Sequence, residues 1–287
     1  PVLRAGAEWL LGFLMVSQRQ AGGNTAFFWG EVSAAGWKHY FPTLYLFKEP
    51  LAFHLLTLIA LGWSLSQLNK QKGQLLLRIK SWLQNNFIEF SFFSFIVVYW
   101  VASIHSPLNI GIRHVLPTFP FLYMIVSHRL VQFIEKHNQP NPTTWWQWLQ
   151  NLWNYHLRML LKWSVVALLL MWLIIDTILI SPHYIAYFNE IAGGPGNGYN
   201  IAADSNLDWG QDLKRLRDFV DSKGIQKISV DYFGGGNPQY YFGEKFEPWW
   251  SARGKAHGWF AISATFRQGA FGKTAPGFVR RPEDSYE

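Results

Sequence analysis

The sequence predicts a polytopic α-helical membrane protein, with about four transmembrane helices, followed by a small extracytoplasmic α/β domain. Three observations point there. Apolar residues concentrate in four runs, at 50–68, 86–104, 114–134 and 159–180, each near the roughly 20 residues a helix needs to cross a bilayer. Aromatics make up 18% of the 287 residues, with 16 Trp, a composition suited to helix ends at a membrane interface. Beyond residue 181 the pattern breaks into short alternating and helical segments separated by Gly, Asn and Asp.

Composition also excludes several classes. With 0 Cys there is no disulfide framework and no thiolate metal site. The net charge of +7 comes from Lys and Arg in short clusters beside the apolar runs. A nucleic-acid partner would require them on one module, so the expected partner is the lipid bilayer and no nucleic acid. No signal-peptide pattern is visible, and the chain, from Pro1 to Glu287, reads as an internal piece of a longer protein.

In order along the chain, residues 1–45 read as an extracytoplasmic loop with one interfacial amphipathic helix around Trp9–Val16. The membrane region, 46–180, opens at Pro50, suited to a first helical turn. Its second run is rich in Phe and β-branched residues, with Glu89 near its start, and its third carries Pro117 and Pro120 near its start. The Trp-rich stretch Trp145, Trp146, Trp148 and Trp153 reads as a further interfacial helix before the fourth run. Basic residues set the orientation. Lys70, Lys72, Arg78 and Lys80 occupy one loop, and Arg129, Lys136, Arg158 and Lys162 flank another, whereas the loop between the second and third runs has Arg113. The two basic loops therefore face the cytoplasm, and both ends of the chain lie outside a multi-pass plasma membrane.

The extracytoplasmic domain, 181–287, opens on a junction dense in Gly, Asn and Asp. Asp208–Lys223 has Leu213, Leu216, Phe219 and Val220 at helical spacing and Gly224 as a C-terminal stop. Lys227–Phe233 and Gly258–Thr265 read as strands, and Gly234–Pro238 as a turn.

Several side chains carry candidate chemistry. Asp204, Asp208 and Asp212 recur at four-residue spacing. On a continuous helix they would share a face and could hold a divalent cation. Alternatively Asp204 and Asn206 belong to a loop, Asp208 caps the following helix and Asp212 favours its dipole. The run Gly193–Gly198 lacks the flanking pattern of a phosphate-binding loop and reads as a connection. Arg113 and His114 sit where an outer loop re-enters the membrane. Either they grip an anion such as a lipid phosphate or they anchor the helix by snorkelling. Lys48 has the same two readings and a third, pairing with Glu49. Asp176 within the fourth run and His54 within the first read as structural groups.

Four stretches resemble bacterial membrane glycosyltransferases of the GT-C superfamily that use a polyprenyl-phosphate sugar, related to glycosyltransferase family 39 and the protein O-mannosyltransferases. They are Gly30-Glu31-Val32-Ser33-Ala34-Ala35-Gly36-Trp37 with Tyr40-Phe41-Pro42; Lys48-Glu49-Pro50, with Glu where the family has Thr; Asn109-Ile110-Gly111-Ile112-Arg113-His114-Val115-Leu116-Pro117; and Tyr187-Phe188-Asn189-Glu190 through Asp204-Ser205-Asn206-Leu207-Asp208-Trp209-Gly210-Gln211-Asp212-Leu213. The resemblance implies a bacterial enzyme of the cell envelope, spanning its plasma membrane. It would pass a sugar from a polyprenyl-phosphate carrier to a protein, lipid or glycan acceptor outside. The family's catalytic carboxylate lies in an earlier loop that nothing here matches, so no catalytic residue is carried over; Arg113, His114 and Lys48 are the expected lipid-phosphate ligands. Two other readings stand beside this one. The first is a membrane-anchored glycan- or protein-binding module, whose Tyr232, Tyr240, Tyr241, Trp249 and Trp250 would stack on sugars. The second is a transporter, whose sign would be several ionisable groups at mid-membrane depth and paired repeats; only His54 comes near, and no repeat is seen.

Overall fold

The structure is a computed structural model that describes residues 2–70, 75–135 and 144–286. In chain order its elements are α1 (Val2–Gly22), β1 (Ala26–Phe28), β2 (Glu31–Ser33), α2 (Tyr40–Lys48), α3 (Leu51–Lys70), α4 (Leu75–Asn85), α5 (Phe87–His105), α6 (Phe119–Glu135), α7 (Trp145–Asn151) and α8 (Arg158–Ile180). Then follow α9 (Leu213–Ser222), β3 (Ile228–Asp231), α10 (Pro238–Phe242), β4 (Phe246–Pro248), β5 (Trp259–Ile262), α11 (Ala264–Phe271) and β6 (Lys273–Thr274). Two compact units interleave along the chain: residues 1–48, 101–114 and 183–287 form one, and residues 49–100 and 115–182 the other.

The second unit is helical. Phe53, Leu56 and Ala60 of α3 pack against Val126, Leu130 and Ile134 of α6 and Val166 of α8. Elsewhere the apolar side chains face outward: Val98 of α5 is 69% exposed and Leu179 of α8 is 76% exposed, as a lipid-facing surface requires. The helices α5 (19 residues) and α8 (23 residues) are long and apolar enough to cross a membrane; α2 and α3 together, a bent pair, would make a third. The expected span at 114–134 is shortened. Pro117 and Pro120 have no N–H to donate to a preceding turn, and the continuous helix starts only at Phe119 and has 17 residues. Of the basic residues used for orientation, Lys72 and Lys136 lie outside the described residues. Thr144 caps α7, accepting the Gln147 N–H at 3.3 Å, and Trp145 stacks on Trp148.

The first unit holds two small sheets. In one, β3 is central and parallel to both β4 and β5. A core of Leu213, Val220, Ile225, Ile228, Val230 and Phe242 packs α9 and α10 against it. The end of α9 matches the sequence pattern: Gly224 (φ 63°) donates to Asp221 O and Ile225 to Val220 O, a Schellman closure that satisfies the last carbonyls. The start does not. Asp208 is not the cap; the helix begins at Leu213, with Asp212 in the preceding position making no side-chain cap bond. Gly210, at φ 78°, stands in a left-handed conformation that a right-handed helix cannot include.

The other sheet joins distant segments. The β1–β2 hairpin, in a stretch expected to be loop, turns at Trp29 and Gly30, both at positive φ, as a two-residue hairpin turn demands. It pairs in parallel with β6 and bridges Ala202 through Phe28. The first helix, expected around Trp9–Val16, extends over 21 residues and does not reach the apolarity of a span.

Candidate functional site

Asn206 is the hub of the first unit. It sits in a 3-10 turn, Asp204–Asn206, and its side chain is fully buried. Its amide donates to the Tyr40 hydroxyl at 3.0 Å and to Ala203 O at 3.1 Å, and its Oδ1 accepts the Ile112 N–H at 3.0 Å. Its main-chain oxygen accepts from Lys48 Nζ. One asparagine thereby fastens α2, the 110–114 loop and the 204–213 segment together. Beside it Ser205 Oγ donates to Ile110 O, and the backbone at Gly111 (φ 96°) passes so close that a Cβ would sit 2.4 Å from that hydroxyl oxygen. Only glycine satisfies both the angle and the space.

The other motif residues lock the same assembly. Asn109 accepts the Trp37 N–H at 2.7 Å. Asn189 donates from its side chain to Leu46 O at 2.6 Å and from its backbone to Phe47 O at 2.8 Å, satisfying carbonyls left open at the end of α2. Gly198 approaches Phe188 so closely that a Cβ would lie 2.2 Å from the ring, which accounts for part of the Gly193–Gly198 run as packing.

Of the expected anion ligands, Lys48 and Arg113 flank this hub. Lys48 Nζ also donates to Ile185 O at 2.7 Å and lies 4.5 Å from the centre of the Phe188 ring. It does not turn to Glu49, whose carboxylate accepts instead from the Tyr123 hydroxyl at 3.1 Å within the second unit. Arg113 donates from Nε to Ile110 O at 3.1 Å, and its guanidinium lies 4.7 Å from the Trp209 ring centre. Among the described residues it forms no salt bridge, so both terminal nitrogens stay available to an anion. His114 is placed differently: its ring stacks on Phe41 at 5.2 Å. Burial, helped by the Arg113 charge, holds its pKa below the ordinary value, so it is the weaker cation of the pair.

The three aspartates do not share the face that a continuous helix would have given them. The segment is not a helix, and among the described residues no group of three metal-ligating side chains comes together. Asp204 stands beside Arg113 in a left-handed backbone conformation, φ 55°, which costs a non-glycine residue on the order of 1–3 kcal/mol. Burial pushes its carboxyl above the usual range, against the pull of the Ser205 N–H and of Arg113 and Arg19. Asp208 accepts the Gly210 N–H at 2.7 Å, and Asp212 pairs with Arg215. Asp208 and Asp212 line a separate cleft of about 620 Å³. Sequence reading missed Asn206, Tyr40 and Trp209 as organisers. The four resembling stretches held all three, but nothing in their spacing said that they meet.

The chain matches no family model, no characterised protein and no solved structure.

Proposed function

We propose that the chain is part of a membrane glycosyltransferase in which Arg113 and Lys48 hold the phosphate of a polyprenyl-phosphate sugar donor. The observation that carries this reading is that Lys48 bonds the Asn206 carbonyl while Arg113 directly follows Ile112, whose N–H bonds the Asn206 side chain, and that among the described residues neither cation forms a salt bridge. In the reaction an acceptor hydroxyl attacks the anomeric carbon. The bond from that carbon to the phosphate oxygen breaks, and the hydroxyl proton passes to a carboxylate base. The charge that develops on the leaving phosphate is met by Arg113, whose planar fork suits two phosphate oxygens, and by Lys48, whose pKa burial lowers to about 7 and whose charged form an adjacent anion favours. The base is not assigned to a residue of this chain. The finer topology belongs to the same proposal: four spans, through α3, α5, α6 and α8, in a bacterial plasma membrane with both ends outside.

Arg113 tests it. Arg113→Lys keeps the charge and loses the fork; Arg113→Ala loses both. Removing a charge-assisted hydrogen bond costs about 1.5–3 kcal/mol, roughly tenfold to a hundredfold in donor affinity. Titration of the purified protein with a polyprenyl-phosphate sugar should show that loss for Lys and a larger one for Ala. Unchanged affinity in both variants would mean that the phosphate, if one binds, is held elsewhere.

A further inference from the structure

A cleft lies beyond the carboxyl ends of β3 and β5, and none of the phosphate ligands above lines it. The central strand β3 has β4 on one side and β5 on the other. The chain thus switches sides about β3 and leaves a crevice past the strand ends, where open α/β sheets hold ligands. Its volume, about 620 Å³, falls in the range of about 300–1,000 Å³ found for small-molecule sites. Asp208, Asp212, Asp231, Ser263 and Arg267 supply its polar groups, and Tyr199 and Tyr232 supply rings.

The charge pattern selects the ligand. The first residues of α9 and α11 border the cleft, and helix N-termini alone would favour an anion. Here the chain already sets Asp208, Asp212 and Asp231 around the same space, against Arg267. A phosphate would meet three carboxylates, of which, among the described residues, Asp212 alone is already paired, with Arg215. Hydroxyl groups meet what they need: oxygens that accept and a guanidinium that donates. One oxygen of Asp208 is fixed by the Gly210 N–H and one of Asp231 by the Tyr286 hydroxyl. Among the described residues Asp208 has no further partner, which leaves its second oxygen for an incoming hydroxyl. Arg267 lies 5.5 Å from the centre of the Tyr199 ring, giving a flat wall on which the C–H face of a sugar ring can pack.

We propose that this cleft binds a neutral saccharide. Of the aromatics named from sequence as sugar-stacking candidates, Tyr232 lines it, while Tyr240, Tyr241, Trp249 and Trp250 do not. The proposal goes beyond the transferase reading, and its test uses no donor lipid, so either can fail without the other.

The experiment is calorimetric titration and saturation-transfer NMR on the full chain in lipid nanodiscs. The probes are maltotriose, mannobiose and diacetylchitobiose, with AMP and inorganic phosphate as anionic comparators. At least one saccharide should bind with millimolar or tighter affinity. Arg267→Ala, at an exposed position, and Asp208→Asn should each weaken it at least tenfold while the melting temperature stays unchanged. No binding by any of the sugars, equal binding by wild type and both variants, or binding of AMP or phosphate lost on Arg267→Ala would each overturn the proposal.

Discussion

Replacing Asn206 by Ala should loosen the first unit more than any other single polar substitution in it. The change removes three side-chain hydrogen bonds, to Tyr40, Ala203 and Ile112. A neutral hydrogen bond contributes about 1 kcal/mol net, and a buried partner left unsatisfied costs a further 1–3 kcal/mol or so. Tyr40 is 2% exposed and Ala203 4% exposed, so water reaches neither freely. The expected loss is therefore about 4–6 kcal/mol, against a stability on the order of 5–15 kcal/mol for a typical domain. For a unit of this size each kcal/mol lowers Tm by about 2–4 °C, which gives a fall on the order of 10–20 °C. Thermal unfolding followed by tryptophan fluorescence in detergent measures it directly. Ser205→Ala is the internal scale, since it removes one bond, to Ile110 O, and should shift the midpoint by only a few degrees. If Asn206→Ala melts within the Ser205→Ala shift, the buried amide does not hold these segments together.

Gly111→Ala should be nearly as damaging, because its Cβ would meet Ser205 Oγ at 2.4 Å and Asn206 Oδ1 at 3.0 Å with the backbone at φ 96°; protease resistance of the 110–114 loop equal to wild type would contradict this. Burial raises the pKa of Asp231 and the Tyr286 hydroxyl holds it back. A raised folded pKa makes its contribution to stability full below the unfolded carboxylate range and lost as pH rises through the folded value. Tyr286→Phe should therefore move the Asp231 titration further up, as read by carboxyl carbon NMR, and steepen the loss of stability between acid and neutral pH; a titration that stays put or moves down refutes the assignment. If both ends lie outside, a cysteine placed at Ser222 should react with an impermeant reagent in intact cells, and one at Ser81 only after permeabilisation; the reverse pattern would invert the topology and remove the donor site from the outer face.

What could be read locally was read correctly where the local signal had no competitor. The runs that became α5 and α8 are apolar over more residues than a soluble helix needs, and the stop at Gly224 follows from glycine's freedom at positive φ. Strands β3 and β5 were visible as short β-prone runs between turn residues. Other features depend on partners far along the chain. Strands β1 and β2 have three residues each, too few to show alternation, and they become part of a three-stranded sheet only because β6 arrives from about 240 positions later. Strand β4 contains Pro248, which sequence rules push out of strands, and it is tolerated at the edge of a three-stranded sheet. Asp208 had a capping pattern, but the helix starts only at Leu213, after the left-handed Gly210. Lys48, Arg113 and Asn206 were each legible as polar residues in a suggestive place. Their meeting was not, because spacing along the chain carries no information about which loops a buried amide will join. That was decided by the tertiary structure, where the unmet hydrogen-bonding groups of the α2 segment and the 110–114 loop find their partners in one side chain.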